Sequence, residues 1–430
     1  MRNFITLLLY RLVLMSLLPL VIITLVIRSK NNPQYRKRLS ERLGFVRSSF
    51  KQNSIVIHAA SVGEVIALKP FVEKLLQQQP ELVITFTTFT PTGSAQVSTL
   101  FGDRVQHCYL PLDIWPCTAM FLYKLKPKAA VFMETEIWPN LVAQCKHKDI
   151  KLLLINGRLS EKSVESYQKL TWLIQPSLLA FDHIYCQSQD NLARFLMIGA
   201  TNTNISVSGN LKYDISINEK VASKQKELSQ YLKENRRIWV VASTHQGDED
   251  IILSAFRLIK AQHPDLLLIL VPRHPERFDA VASLCKKCFN TIRRSEETPI
   301  KPDTDIWLLD SLGELLAVFA LANVVTMGGS FSQIGGHNPL EPALFKLPII
   351  VGPDMNNFTD IMYQLMEQQA VIQLSEEGNI SEHLSAEMIN LLNNSSLADK
   401  YGNSAHKVVL ANQGASQRSL DKLLALIHKS

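Results

Sequence analysis

The alternation of short apolar runs with longer amphipathic ones is the feature that most restricts how this chain can fold. Seven short apolar runs lie between residues 55 and 208, and six more lie between residues 238 and 374. Such runs, bounded by turn residues and separated by helical patterns, predict parallel sheets with helices on both faces, an α/β fold. The predicted strands are 55–60, 82–88, 105–110, 129–133, 152–156, 184–187, 205–208, 238–242, 266–271, 306–309, 324–327, 347–351 and 371–374.

A polar, lysine-rich stretch at residues 218–237 separates the two series of strands. The chain has 430 residues, which is enough for two cores of about 150 to 200 residues each. We therefore predict two doubly wound, Rossmann-like domains, at 31–217 and 218–430, that face a cleft. Ligands bind at the carboxyl ends of strands in such sheets. The terminal helical region, 381–430, is long enough to pack back on either domain, including the N-terminal one.

Residues 4–27 are apolar apart from Arg11 and a few hydroxyl groups. As a helix this segment would extend about 36 Å, which is enough to cross the hydrocarbon core of a bilayer. We predict an N-terminal membrane-anchor helix within residues 1–30, with Arg11 extending outward to the interface. By the positive-inside rule, everything after this helix lies in the cytoplasm. The alternative is a monotopic helix lying in the interface, because Arg11 interrupts the apolar run.

The positive charge of the chain is concentrated at its N-terminus. Residues 1–51 hold ten Lys or Arg against one Glu, whereas the whole chain has a net charge of +6. This distribution favours anionic lipid as a partner over nucleic acid. The six cysteines are scattered, mostly within apolar runs, which is typical of reduced thiols in a cytosolic protein. Cys285 and Cys288 form a lone CxxC pair, for which we predict no metal or redox role.

A glycine-rich stretch, MGGSFSQIGGHNPLEP at residues 327–342, follows the apolar run 323–327. A strand, a glycine-rich turn and a helix start together suit a phosphate, because glycine amides and the first turn of a helix can donate to an anion. The same stretch also fits a purely structural role. Asn338 would be the N-cap, Pro339 the first helical residue and Glu341 the reaching N3 carboxylate. The residues alone leave both interpretations open.

Acidic residues follow several of the predicted strands. Glu64 lies three residues after Ser61, and Glu314 lies three residues after Ser311, so both pairs have the form of a capping box. Glu64 is thus either a capping residue or a general base. For Glu314 we expect a capping side chain, with the backbone N–H groups of 313–315 left for a phosphate.

Further charged residues follow other strands. Glu134 and Glu136 flank one residue after the run 129–133, and we expect only one of them to face the cleft. Lys212 and Arg273 are cations next to apolar runs, suited to a phosphate or a carboxylate. Two histidines, His274 and His337, can titrate but have no evident partner in the sequence.

Asp303 and Asp305 have the DxD form of a metal–diphosphate site. Pro302 precedes them, so a polar turn is the favoured interpretation.

Eight motifs, in this order, resemble the 3-deoxy-D-manno-oct-2-ulosonic acid (Kdo) transferases of lipid A biosynthesis: HAASVGEV, TFTPTGS, METEIWPN, NGRLS, GNLKYD, VPRHPERF, GELL and MGGSFSQIGGHNPLEP. The resemblance runs nearly from end to end. It implies the GT-B fold, a CMP-Kdo donor and a lipid A precursor as acceptor. It also implies an inverting, metal-independent transfer, with no cofactor, at the cytoplasmic face of a Gram-negative inner membrane.

The resemblance also implies roles for individual residues. Glu64 in SVGE matches the general base, which takes the proton of the acceptor's 6′-hydroxyl. Glu134 and Lys212 match residues that stabilise the transition state. The residues that match CMP-binding positions are Pro272, Arg273, Gly313, Glu314, Leu315, Asn338 and Glu341. The small departures, HAAS for HSVS and LEP for LEA, touch only neighbours of these residues.

Two other functions are compatible with the same pattern. A nucleotide-sugar epimerase of GT-B type would share the donor half of the chain but would need neither an anchor nor a lipid acceptor. A membrane-tethered nucleotide-sugar sensor would have the pocket without turnover. The resemblance favours the transferase over both.

Overall fold

The computed structural model describes residues 2–31, 33–217, 219–232 and 236–428. The chain forms two compact units. Unit 1 consists of Met1–Asp214 and Asn412–Ser430, and unit 2 consists of Ile215–Ala411. In its described part, each unit contains one seven-stranded parallel sheet with helices between the strands. The predicted α/β fold is therefore confirmed.

The strand order of unit 1 is β3-β2-β1-β4-β5-β6-β7. The first strand lies in the middle, and the chain then extends the sheet first to one side and later to the other. This is the doubly wound Rossmann order, in which the switch point lies between β1 and β4. The strands are β1 Ile55–His58, β2 Ile84–Thr88, β3 Gln106–Tyr109, β4 Ala129–Met133, β5 Lys151–Gly157, β6 His183–Cys186 and β7 Ile205–Val207.

Helices connect these strands on both faces of the sheet. Several begin at a Ser or Thr whose hydroxyl accepts a backbone N–H of the first turn, as at Ser61, Thr90 and Ser188. The helices of unit 1 are α1 Arg2–Asn31, α2 Leu39–Arg42, α3 Val62–Gln78, α4 Pro91–Phe101, α5 Trp115–Leu125, α6 Pro139–His147, α7 Glu161–Gln168, α8 Thr171–Ala180, α9 Gln189–Met197 and, from the end of the chain, α18 Ala415–Ile427.

The core of unit 1 lies on both faces of its sheet, because successive residues of a strand point to opposite sides. Val56 and Phe132 pack on one face, whereas Ile57 and Val131 pack on the other. Helix α18 packs against α3 and completes the second face. The carboxylate of Asp214 accepts the backbone N–H groups of Gly414 and Ser416 at the start of this helix. The last helix of the chain is thus part of unit 1.

In unit 2 the strand order is β10-β11-β9-β8-β12-β13-β14. Apart from β10 at the edge, this is again the doubly wound order, with its switch point between β8 and β12. The strands are β8 Ile238–Thr244, β9 Leu267–Pro272, β10 Thr291–Arg293, β11 Ile306–Leu308, β12 Val324–Met327, β13 Ile349–Val351 and β14 Ile372–Gln373. The helices are α10 Glu219–Ser229, α11 Asp248–Lys260, α12 Phe278–Lys286, α13 Leu315–Phe319, α14 Leu340–Ala343, α15 Thr359–Glu367, α16 Ile380–Asn393 and α17 Ser395–Asn412.

All thirteen predicted strands form, with ends that differ by up to two residues. Strand β10, Thr291–Arg293, was not predicted. It contains a single apolar residue, Ile292, and pairs only with β11 at the edge of the sheet. A short edge strand needs little apolar surface, so its sequence carries no run that periodicity can detect.

Within α1, the segment Ile5–Ile27 is long and apolar enough to cross a membrane by length and composition. The side chain of Arg11 does not extend outward as predicted. Its Nε donates to Asn140 Oδ1 at 2.8 Å.

Candidate active site

Glu64 lies in the first turn of α3, directly after the carboxyl end of β1. Ser61 is the N-cap of the helix, and its hydroxyl oxygen accepts the N–H of Glu64 at 3.4 Å. In return, Glu64 Oε1 accepts the Ser61 hydroxyl at 2.8 Å, and Oε2 accepts the N–H of Ala60 at 2.9 Å. The motif therefore acts as a helix cap. Each carboxylate oxygen still has a lone pair, so capping does not prevent Glu64 from accepting a proton.

Burial raises the pKa of the Glu64 carboxyl, and the hydrogen bonds from Ala60 and Ser61 oppose this rise. The charge of Glu136 raises the pKa further, whereas His58 lowers it. A raised pKa makes a carboxylate a stronger base near neutral pH.

Glu134 follows the last residue of β4, the strand next to β1. Its backbone has φ 54°, in the left-handed region, and its N–H donates to Ile155 O at 3.0 Å. Non-glycine residues are uncommon in this conformation, and such strain is often found at functional sites. Burial, followed by the charge of Glu64, raises the pKa of Glu134 to about 6. The positive charges of Lys212 and Arg158 act in the opposite direction.

Glu136 is held in place by two side chains. Its Oε2 accepts the indole N–H of Trp138 at 2.9 Å and lies 3.3 Å from Nε2 of the buried His58. On its other side, His58 Nδ1 lies 3.0 Å from Thr87 Oγ1. The charge of Glu136 raises the pKa of Glu64, and the charge of Glu64 raises the pKa of Glu134, so the three carboxylates interact. The expectation that only one of Glu134 and Glu136 faces the cleft stays a prediction.

Lys212 lies in a short turn, Leu211–Tyr213, after β7. Asn210 caps this turn, because its Oδ1 accepts the N–H of Lys212 at 3.0 Å. The buried Asn156, at the end of β5, accepts the N–H of Leu211 at 2.9 Å. These two asparagines position the lysine, and neither was predicted as a site residue. Both lie within the motifs NGRLS and GNLKYD, which were the only sequence signal for them.

In unit 2 the glycine-rich stretch lies at the switch point, after β12. The N–H groups of its four glycines donate within the protein: Gly328 to Ala242 O, Gly329 to Asp248 Oδ2, Gly335 to Asp354 Oδ2 and Gly336 to Gly329 O. They are therefore not available to cradle a phosphate. The glycines are needed for space instead. A Cβ on Gly328 would lie 2.7 Å from Ser243 O, and one on Gly336 would lie 2.2 Å from Met355 Sδ.

The helix start after these glycines differs from the predicted one, because Pro339 rather than Asn338 is the N-cap residue. Helix α14 begins at Leu340, and Asn338 Oδ1 accepts the N–H of Leu340 at 3.2 Å. Glu341 does not reach the backbone of Asn338 but accepts its side-chain amide at 3.5 Å. The predicted reciprocal capping box is thus only half formed. A four-residue helix has a small dipole, so it adds little positive potential.

Titratable side chains also lie near this switch point. Burial raises the pKa of Glu341, and the charge of Arg273 opposes this rise. Arg273 follows Pro272, the last residue of β9, and its side chain is exposed. His337, for which the sequence showed no partner, lies with its Nε2 2.8 Å from His245 Nε2. Burial, aided by the charge of Arg273, lowers the pKa of His337 to about 4, so this ring is neutral at pH 7.

Glu314 does not have the capping role expected for it. Its carboxylate lies 3.3 Å from the guanidinium of Arg294 and 3.4 Å from Lys224 Nζ, and it also accepts the hydroxyl of Ser311. Two nearby cations attract a buried carboxylate more strongly than a single backbone amide does. The turn itself is preserved, with Gly313 at φ +83°.

The remaining polar motifs have structural partners. Asp305 Oδ1 lies 2.7 Å from Lys260 Nζ, and Asp305 Oδ2 accepts the N–H of Asn290, so this aspartate belongs to a turn. Cys285 is buried, which raises the pKa of its thiol to about 12, whereas Cys288 is exposed. Among the described residues, His, Cys, Asp and Glu form no group of three or more that could hold a metal.

Two solved structures show the class of fold. A UDP-GlcNAc 2-epimerase from Neisseria meningitidis, bound to UDP-GlcNAc, aligns with a TM-score of 0.58 and 13% identity over 87% of this chain and 100% of its own. A glycosyltransferase from Rickettsia africae aligns with a TM-score of 0.53 and 13% identity over 88% and 98%. At these identities the likeness concerns the fold alone. With two doubly wound sheets, this fold is of the GT-B class.

Sequence comparison gives the family within this class. The family model described as 3-deoxy-D-manno-octulosonic-acid transferase (kdotransferase) matches residues 37–215. A 3-deoxy-D-manno-octulosonic acid transferase of Haemophilus influenzae is 41% identical over 422 residues, 96% of each chain. The chain therefore belongs to the family of Kdo transferases, glycosyltransferases of lipopolysaccharide biosynthesis.

Proposed function

We propose that this protein transfers Kdo from CMP-Kdo to the 6′-hydroxyl of a tetraacylated lipid A precursor, with inversion at the anomeric carbon and release of CMP. The observation that carries the proposal is the position of Glu64 at the switch point of the unit 1 sheet, with a raised pKa. Ligands bind at this position in doubly wound sheets. Membership of the family supports Kdo as the transferred sugar, and the residues of the candidate site support the mechanism.

Glu64 acts as the general base in this proposal. It takes the proton of the acceptor hydroxyl as that oxygen attacks the anomeric carbon of Kdo. The bond from this carbon to the CMP phosphate breaks, and its electron pair leaves with CMP. The hydrogen bonds from Ala60 and Ser61 hold the Glu64 carboxylate in a single orientation. General base catalysis of this kind contributes roughly 10² to 10⁴ in rate.

Glu134 and Lys212 are the proposed stabilisers of the transition state. Their charges interact: burial raises the pKa of Glu134, and the positive charge of Lys212 lowers it. Kdo develops positive charge at its anomeric carbon as CMP leaves, and carries a carboxylate beside it. The carboxylate of Glu134 can stabilise the positive charge at the anomeric carbon, and Lys212 can stabilise the carboxylate of Kdo.

The donor nucleotide is proposed to bind at unit 2. Arg273 has an exposed side chain, and its charge lowers the pKa of Glu341, which burial raises. Glu341 forms a partly buried pair with Asn338. Pro272 and the turn Gly313–Leu315, with Glu314 held by Arg294, would complete the site. A guanidinium binds a phosphate through two parallel hydrogen bonds, which suits the charge that CMP gains on leaving. The proposal requires no metal and no cofactor.

We further propose that the protein acts at the cytoplasmic face of the inner membrane. The apolar segment Ile5–Ile27 supports attachment, and the basic residues that follow it support orientation. The acceptor is itself a phosphorylated lipid in this membrane.

One assay separates this proposal from its alternatives. The purified protein is incubated with CMP-Kdo and tetraacylated lipid A precursor, and the lipid and the nucleotide are both analysed. A transferase gives Kdo-lipid and CMP in equal amounts. An epimerase would alter the sugar without the lipid, and a sensor would leave both unchanged, so either result would contradict the proposal. The fold alone does not exclude an epimerase, since one of the solved structures that share it is an epimerase.

A further inference from the structure

Helix α1 contacts the rest of unit 1 along most of its length. Its less exposed residues follow one another at intervals of three or four, which places them on one face of the helix. Besides Thr6, they are Leu7, Tyr10, Arg11, Leu14, Leu18, Val21 and Leu25. From the first to the last of these the helix extends about 27 Å, at 1.5 Å per residue. This distance is close to the thickness of the hydrocarbon core of a bilayer, about 30 Å.

Polar contacts hold the first half of this face. The hydroxyl of Tyr10 donates to Asp113 Oδ2 at 2.9 Å, and Arg11 Nε donates to Asn140 Oδ1 at 2.8 Å. Asp113 is buried and also accepts the backbone N–H groups of Asn140 and Leu141, at the start of α6. The helix is therefore joined to the same polar cluster that begins α6.

Apolar contacts hold the second half. Leu14, Leu18 and Val21 pack against a small core cluster of Leu112, Ile114 and Cys117. Together with the polar contacts, these cover one face of α1 with other residues of unit 1. A helix that crosses a bilayer is surrounded by lipid or by other membrane-spanning segments. To cross, α1 would have to break both sets of contacts and carry Arg11 into hydrocarbon.

The opposite face of α1 is apolar and exposed. Its large exposed side chains are Ile5, Leu8, Leu9, Leu12, Val13, Met15, Leu17, Leu20, Ile23, Val26 and Ile27. Two tryptophans of unit 1 adjoin the helix and are also exposed: Trp115, at 49%, has the Arg11 guanidinium 6.0 Å from its ring, and Trp172, at 43%, lies on α8, which contacts α1. A contiguous apolar surface of this size marks an interaction site, and tryptophans are enriched at the membrane–water interface.

Exposed basic residues lie in the last turn of α1 and after it: Lys30, Arg36, Lys37 and Arg47. Positive charge next to an apolar face is complementary to anionic lipid headgroups. We propose that α1 does not span the membrane but lies in the plane of its cytoplasmic interface, docked on unit 1, with its exposed face in the lipid. The occupant of this surface is a bilayer that contains anionic lipid. The inference rests on the membrane attachment included in the proposed function.

Spin labels test the orientation of the helix in the full-length protein. Cys288, which is exposed, is first replaced by Ser, and single cysteines are then introduced by Leu9→Cys, Ser16→Cys, Leu20→Cys and Ile27→Cys at exposed positions. The labelled proteins are bound to vesicles of phosphatidylethanolamine and phosphatidylglycerol. The depth of each label is measured from its collisions with oxygen and with a water-soluble nickel chelate.

An in-plane helix gives similar, shallow depths at all four positions. A profile that is shallow at residues 9 and 27 and about 10 Å deeper at residue 16 would show a spanning helix and overturn the inference. Labels that remain in water would overturn membrane attachment as well. Dipolar broadening between labels on separate molecules would show that a second copy, not lipid, covers this face. Kdo transfer measured in the same vesicles tests the proposed function independently of all these outcomes.

A second measurement tests the anionic lipid. The double variant Arg36→Gln with Lys37→Gln should bind these vesicles roughly tenfold more weakly, because each cation near the surface contributes to attraction. The matched control, Lys287→Gln with Lys407→Gln, removes two exposed cations from unit 2 and should change binding less than twofold. Equal effects of the two double variants would overturn the role of the basic residues after α1.

Discussion

Units 1 and 2 have the same strand order around their switch points, yet they carry opposite chemistry there. In unit 1 the turns after β1 and β4 hold three carboxylates, Glu64, Glu134 and Glu136. In unit 2 the turns after β8 and β12 hold a glycine-rich segment and the stacked rings of His245 and His337. The comparison shows that the topology supplies only a place for a ligand, and that the side chains placed there decide what can bind.

The carboxylates of unit 1 suit proton removal, whereas Arg273 in unit 2 suits an anion. If the two units have these separate roles, substitutions in unit 1 should lower turnover and leave nucleotide binding intact. Substitutions in unit 2 should have the converse effect.

Glu64→Gln is expected to give the largest effect, a loss of roughly 10² to 10⁴ in kcat, because the amide cannot accept the proton of the acceptor. The affinity for CMP, measured by calorimetry, should stay within about twofold of the wild-type value. The matched control is Glu165→Gln, at an exposed position of α7. Wild-type turnover in Glu64→Gln would rule out this residue as the base.

Arg273→Ala should raise the KM for CMP-Kdo roughly tenfold to a hundredfold, since a hydrogen bond to a charged group is worth about 1.5 to 3 kcal/mol. We expect the change in kcat to be smaller. Steady-state kinetics at varied donor concentration would measure both, with Arg257→Ala, an exposed residue of α11, as control. An unchanged KM would mean that the nucleotide does not contact Arg273.

Glu136→Gln should change the pH dependence of transfer. The negative charge of Glu136 raises the pKa of Glu64, so its removal lowers that pKa and keeps the base ionised to lower pH. The acidic limb of the kcat/KM profile should therefore move to lower pH, by less than about one unit. The amide oxygen that this substitution introduces can still accept the indole N–H of Trp138, which keeps the turn in place. An unchanged pH profile would show that Glu136 does not affect the pKa of the base, Glu64.

Glu134→Gln should give the smallest of these effects. It should raise the free energy of unfolding, whereas most substitutions lower it. The pKa of Glu134 is about 6 in the folded protein and 4.5 without perturbation, so the folded state binds the proton more tightly. Stability then falls as pH rises between these values, and the charged group is unfavourable at pH 7. Its neutralisation should stabilise unit 1 by about 1 kcal/mol, after allowance for partial exposure to solvent. Thermal unfolding at pH 5 and pH 8 measures this gain, which should be larger at pH 8 than at pH 5, while transfer activity falls.

Prediction from sequence succeeded where the information is local. Strand β4 was predicted at its observed bounds, Ala129–Met133, because a buried strand needs only a short apolar run. The cap at Ser61 and Glu64 was visible as a four-residue motif and forms in the structure. Prediction failed where the partner is distant. The His58–Glu136 contact joins residues 78 positions apart, and the Asn156–Leu211 contact joins residues 55 positions apart.

The glycine-rich segment shows the limit most clearly. Its sequence is compatible with a phosphate cradle, but a donor N–H is available to a ligand only if no carbonyl or carboxylate of the protein has taken it. Asp248 and Asp354 take two of these amides, and neither is close to the glycines in sequence. Glu314 likewise meets Arg294 and Lys224 instead of the backbone expected from its motif.

The sequence by itself determined the two parallel sheets, the position of the carboxylate at Glu64 and the presence of a long apolar helix at the N-terminus. These follow from periodicity and from capping, which depend on neighbours along the chain. Only the tertiary structure decided which charges raise the pKa of Glu64, that the glycine amides are already bonded, and which face of α1 is covered. Each of these depends on groups that folding brings together from distant parts of the chain, and hydrogen bonds and desolvation act only at such short range.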